Sequence, residues 1–217
     1  MSAPATPALR LPIDYARAQA AQRLLAERRR AGELPDLLWL LEHPPTITWG
    51  SSGGREHLLE REDALRARGI ALCPSERGGD VTFHEPGQLV GYPIVDIGGP
   101  GRPGRPGGFA ERDLHAYLRA VEEGLITFLR EIGIDGHRVP GRTGVWVGGS
   151  PQRKIAAMGV RAKGWITSHG FALNVENRLE GFELIVPCGI ADAAVTSIAR
   201  EVGAARVPAA RARRGLR

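Results

Sequence analysis

The chain has 217 residues, 42% of them hydrophobic, enough to bury one good core, so one compact domain over residues 1–202 is the first expectation. Its formal charge of +5 sits at the end: residues 200–217 hold six arginines against Glu201, which leaves positions 1–199 formally neutral. That argues against a nucleic-acid-binding body and makes residues 203–217 a solvated, poorly ordered basic tail, which would equally suit an acidic protein partner.

Residues 1–12 lack a basic segment followed by an apolar core, and no run of about 18 apolar residues occurs, so neither export nor membrane spanning is expected and a cytoplasmic location follows by default. Cys73 and Cys188 stand 115 positions apart, without a Cys-x-x-Cys or His-x-x-x-His pair. Free thiols and no structural metal follow.

In chain order, Asp14 caps a helix through about Arg30 with Leu24 and Leu25 toward the core, and Gly32 and Pro35 stop it. Residues 36–42 and 46–49 read as strands around the extended turn His43-Pro44-Pro45. A glycine-rich loop over 50–54 leads to a charged helix over 57–68 that ends at Gly69, and residues 70–73 form a strand. Residues 80–83 and 88–97 read as a strand pair joined through 84–87. The Gly, Pro and Arg of 98–108 make an exposed loop, an insertion and not a boundary. Residues 111–131 are the best helix, with Leu114, Tyr117, Leu118, Val121, Leu125, Phe128 and Leu129 at helical spacing, and it must cover a sheet. Residues 144–147, 153–163 and 166–175 are consecutive strands. Helices before and after a mixed, mostly antiparallel sheet give a single-domain α+β fold.

Residue usage points to the chemistry. Of 29 basic residues only Lys154 and Lys163 are lysine. Arginine keeps its proton in a protein, whereas a lysine can be pushed to its neutral form, so Lys154 is a candidate proton carrier and Lys163 a solvated hairpin charge. Cys188, between Pro187 and Gly189, follows the apolar run 184–186, which reads as a strand entering a tight turn. Two readings stay open for it. It is a small buried hydrophobe, or it is a thiol whose pKa a cation such as Lys154 lowers for acyl transfer, with backbone N–H groups near Gly189 and in the glycine-rich loops holding the oxyanion. Cys73 is the rival nucleophile, but after Ile70-Ala71-Leu72 and before Pro74 and Ser75 it reads as core. In Arg77-Gly78-Gly79-Asp80-Val81-Thr82-Phe83-His84 the glycines either let backbone approach a ligand or form an ordinary turn before a strand with an apolar face (Val81, Phe83) and a polar one (Thr82, His84). His84 and His169 are structural hydrogen-bonding groups or bases.

Together, the Arg77–Gln88 segment, Lys154-Ile155-Ala156-Ala157-Met158-Gly159, Ser168-His169-Gly170-Phe171-Ala172-Leu173-Asn174 and Pro187-Cys188-Gly189 resemble the lipoyl(octanoyl) transferases, with Glu42-His43-Pro44-Pro45 and Val195-Thr196-Ser197 at the margins. The resemblance spans about residues 36–202. It implies the fold of the biotin and lipoate protein ligase catalytic domain, with Cys188 taking octanoyl from octanoyl-acyl carrier protein as a thioester and passing it to a lysine of an apo lipoyl domain. It implies that Lys154 lowers the thiol pKa and serves as acid and base. The acyl pocket it implies comprises Arg77, Gly78, Gly79, Asp80, Val81, Thr82, Phe83, His84, Ala157, Met158, Gly159, Gly170, Phe171 and Ala172. No cofactor, metal or nucleotide is implied, and the expected chain is a monomer with no nucleic-acid or membrane partner. His169 becomes a pocket neighbour.

Glu85 departs from the pattern, standing where glycine is expected before Pro86-Gly87, and sets a carboxylate beside the pocket. Rival functions are an ATP-dependent lipoate or biotin ligase of the same fold, a cysteine hydrolase in which His169 or His84 activates the thiol, and a non-catalytic lipoyl-domain binding module. Dependence on ATP, release of free octanoate, and indifference to Cys188→Ser separate them in turn.

Overall fold

The structure is a computed structural model describing residues 12–98, 112–186 and 194–203. Most of the expected 98–108 loop, the Pro187-Cys188-Gly189 turn and, apart from Gly203, the expected basic tail lie outside the described residues.

Helix α1 (Tyr15–Arg30) begins where the Asp14 carboxylate accepts the Arg17 N–H at 3.0 Å. Then come β1 (Leu37–Leu41), β2 (Thr46–Trp49), a 3-10 turn (Arg55–His57), α2 (Glu62–Ala67), β3 (Ala71–Pro74), β4 (Val81–His84) and β5 (Gln88–Ile94). Helix α3 (Leu114–Glu131) leads to β6 (Gly136–Val139), β7 (Arg142–Val147), β8 (Arg153–Lys163) and β9 (Ile166–Asn174). A second 3-10 turn (Glu180–Leu184), β10 (Ala194–Val195) and α4 (Ile198–Val202) complete the described elements. One sheet runs β1-β5-β9-β8-β7-β6, with β10 joined to β8 in parallel, and a smaller sheet runs β3-β2-β4. The fold is α+β with mostly antiparallel pairing, as the element order predicts.

Several local expectations are corrected. The inward stripe of α1 is Tyr15, Ala18 and Gln22, continued by the half-buried Leu25, whereas Leu24 is 58% exposed. At 3.6 residues per turn Leu24 lies roughly 200° around the axis from Gln22, on the solvent side. Strands β4 and β5 do not pair: β4 joins β2, while β5 has both edges occupied by β1 and β9 and is buried along its length. The expected helix over 57–68 is only α2, because residues 57–59 pair with the far segment 184–186: Leu59 N–H donates to Leu184 O at 2.9 Å and Val186 N–H to His57 O at 2.9 Å. For the same reason 184–186 is no full strand; the 3-10 turn runs into one bridge, Ile185 to Leu58.

Helix α3 starts at Asp113, which accepts from His115 N and Ala116 N, and lays Tyr117, Leu125, Phe128 and Leu129 inward, packing against β6 and β7. The same stripe carries Glu122, fully buried, whose carboxylate accepts from Arg119 Nη1 (2.6 Å), Arg138 Nε (3.0 Å) and the backbone N–H of Gly144 (2.9 Å). Gly144 has φ +117°, and a Cβ there would lie 2.5 Å from Ala156 O, so only glycine carries β7 so close to β8. Directly after it the β7–β8 register shifts, pairing Val145 with Ala156 and Trp146 with Lys154. The buried carboxylate therefore anchors the irregularity that sets Trp146 opposite Lys154.

The two sheets and α1 meet at a buried ring cluster. Tyr15 stacks on His84 (5.6 Å) and tilts against His43 (5.0 Å), and His43 meets Tyr92 (5.9 Å). Because Ile13 O can only accept, His43 Nδ1 donates to it (2.5 Å), and Nε2 accepts from Tyr92 Oη (2.6 Å). His84 Nδ1 donates to Gln88 Oε1 (2.7 Å), whose amide donates to Asn174 Oδ1 (3.0 Å), and Asn174 Nδ2 donates to Thr196 O (3.0 Å). Burial lowers His43 to about 4; burial and then Arg77 lower His169 to about 4; burial and then His43 hold His84 well below its ordinary value.

Two predictions follow from these buried groups. Glu122→Leu leaves the buried Gly144 N–H without its acceptor while Arg119 and Arg138 keep water and Glu123, and should cost about 2 kcal/mol, read as a lower urea midpoint at unchanged slope. The neutral histidines make the fold acid-sensitive. Above pH 6.5 neither state binds the extra protons; below it the unfolded chain takes them up while folded His43 and His169 resist until about 4. Stability should therefore decline as the pH falls from 6.5 to about 4, by on the order of 3 kcal/mol per group. His43→Phe should flatten that pH slope, whatever it does to absolute stability.

Candidate active site

A cavity of about 680 Å³ opens where the small sheet meets the edge of β8. Pairing of β7 with β8 stops at Ala156, and farther along that edge Gly78 N–H donates to Val160 O at 2.9 Å, docking the Arg77-Gly78-Gly79 loop on β8. The approach demands glycine at 159, where a Cβ would lie 2.7 Å from Gly78 O, and is tight at 78, where one would lie 3.2 Å from Val160 O. The buried Arg77 guanidinium locks the loop from beneath, donating to Thr48 O (2.9 Å), Thr48 Oγ1 (3.0 Å) and Gly78 O (3.1 Å).

Arg77, Gly78, Gly79, Asp80, Val81, Thr82, His84, Lys154, Ala157, Met158, Gly159, Gly170, Phe171 and Ala172 all line the cavity, and His169 is among its walls. Phe83 is not. Its ring packs into a core with Ile47, Leu65 and Phe182, whose ring it meets at 6.0 Å, although Val81 on the same strand face reaches the cavity. Glu85 also points elsewhere: its carboxylate accepts from Leu179 N–H (2.9 Å) and Asn177 Nδ2 (3.3 Å), holding the turn where Leu179 has φ +72°. It is a clamp on the approach to residues 180–186 and is not a cavity wall. Cys73 is half-buried and lies outside the cavity, and burial, then Asp14, raise its thiol pKa.

Lys154 Nζ lies 4.7 Å from the centroid of the wholly buried Trp146 ring, which also carries the Arg142 guanidinium at 5.5 Å. An ammonium over an indole face is electrostatically favoured and held in place. Cys188 lies outside the described residues, but both ends of its segment are anchored on the cavity. On one side Val186 bonds to His57 O; on the other Ala194 and Val195 pair with Arg153 and Lys154, and Thr196 N–H donates to Lys154 O at 3.0 Å.

Other wall residues escape the motif reading. Tyr15, Val90, Tyr92, Leu114, Leu118 and Phe182 reach the cavity from α1, β5, α3 and the second 3-10 turn, and only their apolar or aromatic character hinted at burial. Ser52 and His57 come from the glycine-rich loop and its 3-10 turn; His57 Nδ1 lies 2.7 Å from Asp80 Oδ1. Among the described residues no group of three His, Cys, Asp or Glu side chains is arranged to hold a metal ion.

Residues 14–213 match the family described as the lipoyl protein ligase A/B catalytic domain. An octanoyltransferase of Solibacter usitatus is 50% identical over 187 residues, covering 86% of this chain and 79% of that protein. An octanoyltransferase of Chloroflexus aggregans is 48% identical over 194 residues, covering 89% and 83%. Among solved structures, a bipartite lipoate protein ligase from Thermoplasma acidophilum superposes with TM-score 0.70 at 16% identity, covering 95% of this chain and 78% of that one. Lipoate-protein ligase A bound with ATP gives 0.67 at 16% identity, covering 92% and 78%. At that identity the structures report the shared fold, while the sequence relatives identify the branch. The chain belongs to the lipoyl protein ligase A/B catalytic-domain family and, within it, to the octanoyltransferases.

Proposed function

We propose that the protein is an acyltransferase that moves octanoyl from octanoyl-acyl carrier protein to a lysine of apo lipoyl domains, through a thioester on Cys188, in the cytoplasm. The observation that supports the reading is that the residues flanking 187–193 are both held at the cavity, Val186 on His57 and Val195 and Thr196 on Lys154. The near half-identity to octanoyltransferases supports the substrate.

In this reading the Lys154 ammonium stabilises the Cys188 thiolate, which attacks the carrier thioester and forms the enzyme thioester. The departing carrier thiolate takes a proton from Lys154. The neutral Lys154 amine then accepts a proton from the incoming acceptor ammonium. The acyl chain lies along Ala157-Met158-Gly159 and Gly170-Phe171-Ala172, against a wall of histidines that burial keeps neutral. Apolar residues and neutral imidazoles suit a hydrocarbon chain, and the one buried guanidinium in the described wall, Arg77, already has its partners in Thr48 and Gly78.

Intact-mass analysis after incubation with octanoyl-acyl carrier protein should reveal one octanoyl adduct, labile to hydroxylamine and lost in Cys188→Ala. An adduct on Cys73, or none, overturns the reading. Lys154→Met should raise the apparent thiol pKa by about one unit or more in a plot of alkylation rate against pH, as expected when a nearby cation is removed. An unchanged thiol pKa refutes the role given to Lys154.

A further inference from the structure

We infer that His57, oriented by Asp80, is a second proton acceptor in the active site, taking the proton that the acceptor lysine sheds after it attacks the thioester. The inference rests on the acyl-transfer reading above and concerns its second half.

Proton balance creates the need. An acceptor ammonium carries three N–H bonds and the amide product keeps one, so two protons leave that nitrogen. Lys154 gave one proton to the carrier thiolate, so its amine takes one back when it frees the acceptor amine for attack. Attack on the carbonyl forms the new C–N bond and leaves an N–H₂⁺ group in the tetrahedral adduct. Loss of the second proton from that group, with cleavage of the C–S bond, yields the amide and the Cys188 thiolate beside the Lys154 ammonium. The starting state is restored only if another base has taken the second proton, and that base then releases it to water.

His57 has the geometry for this task. Its ring and the Asp80 carboxylate both line the cavity, with the histidine side chain 30% exposed and the aspartate 11%, so the pair stands at the rim where a macromolecular lysine must enter. A carboxylate only accepts, so the 2.7 Å contact fixes the proton on Nδ1 and leaves Nε2 as the basic nitrogen. The His57 carbonyl accepts the Val186 N–H at 2.9 Å, which ties the backbone of its turn to the residue two positions before Cys188 in the sequence. Asp80 is itself seated by close packing: a Cβ on Gly53 would lie 1.6 Å from its Oδ1, while Gly50 N–H donates to Asp80 O. The bond to Asp80, with weaker help from Glu56, raises His57 above its ordinary 6.5, toward the range where a base works at neutral pH. The cations Arg77, Arg142 and Lys154 face the same cavity from the other walls, and Arg55 on the same turn pairs with Glu62 at 3.0 Å.

The test separates the two half-reactions. Acyl-enzyme is formed from octanoyl-acyl carrier protein, isolated, and mixed with excess apo lipoyl domain in a single turnover. His57→Gln should form the acyl-enzyme at the wild-type rate but transfer it about 100-fold more slowly or worse. The wild-type rise of transfer rate with pH should vanish in that variant, and imidazole should restore part of the rate. Asp80→Asn, which keeps the ring, should move the same pH limb downward by removing the charge that raises it. Unchanged transfer in His57→Gln overturns the inference, and so does an equal fall in both half-reactions, which marks a structural role. If wild-type protein forms no acyl-enzyme, this inference falls with the acyl-transfer reading; if it forms one and His57→Gln transfers it normally, only this inference falls.

Discussion

The site depends on the open edge of β8. Pairing with β7 ends at Ala156, next to the register shift that follows Gly144, and the edge that remains is taken by the Gly78 N–H at Val160 O. That bond joins the small sheet to the large one. An unbroken β7–β8 ladder would occupy the edge where the glycine loop docks, and the cavity would lose the loop that closes it. Edge groups left without a strand partner need some other partner. Here the loop is that partner, and Arg77 beneath it ties the arrangement to Thr48.

Charge is sorted along the cavity by the same framework. Its inner wall holds His84 and His169, kept neutral by burial, together with Tyr15 and Tyr92, whose hydroxyl pKa values burial raises. Apart from the buried Arg77, the ionic groups stand nearer solvent, with Lys154 and Arg142 on Trp146 to one side and His57 on Asp80 to the other. The two cations on one indole are not equivalent. The guanidinium is a permanent charge, whereas the ammonium can pass a proton on. The fold spends buried carboxylate Glu122 and three neutral histidines on holding this layout, and both choices expose its stability to pH and to single substitutions.

Glu85 shows how far a local departure from a motif can mislead. Read along the chain it is a carboxylate next to the pocket residues; in space it turns away and caps the turn at Leu179, whose left-handed backbone would otherwise leave an N–H exposed to burial without a partner. That turn leads into residues 180–186 and so toward the anchored end of the Cys188 segment. The residue belongs to the support of the site.

The sequence by itself determined the elements with strong periodicity: α1 from its Asp14 cap, α3, and the β8–β9 hairpin, whose bounds follow from alternation and the Gly164-Trp165 turn. Glycine pairs and scarce lysine marked Arg77–His84 and Lys154 as candidates, and the rest of the expected cavity wall was legible only through the resemblance to the lipoyl(octanoyl) transferases. Only the tertiary structure decided the rest. Residues 57–59 and 184–186 carry patterns that suit a helix and a strand, yet each instead meets the other across more than a hundred positions. Strand alternation names the face of Phe83 but not which core lies behind it. His57 looks like any polar residue of a charged turn until Asp80, in the bend before β4, arrives to orient it. Those outcomes depend on which distant backbone groups satisfy one another, and pairing at long range leaves little trace in local composition.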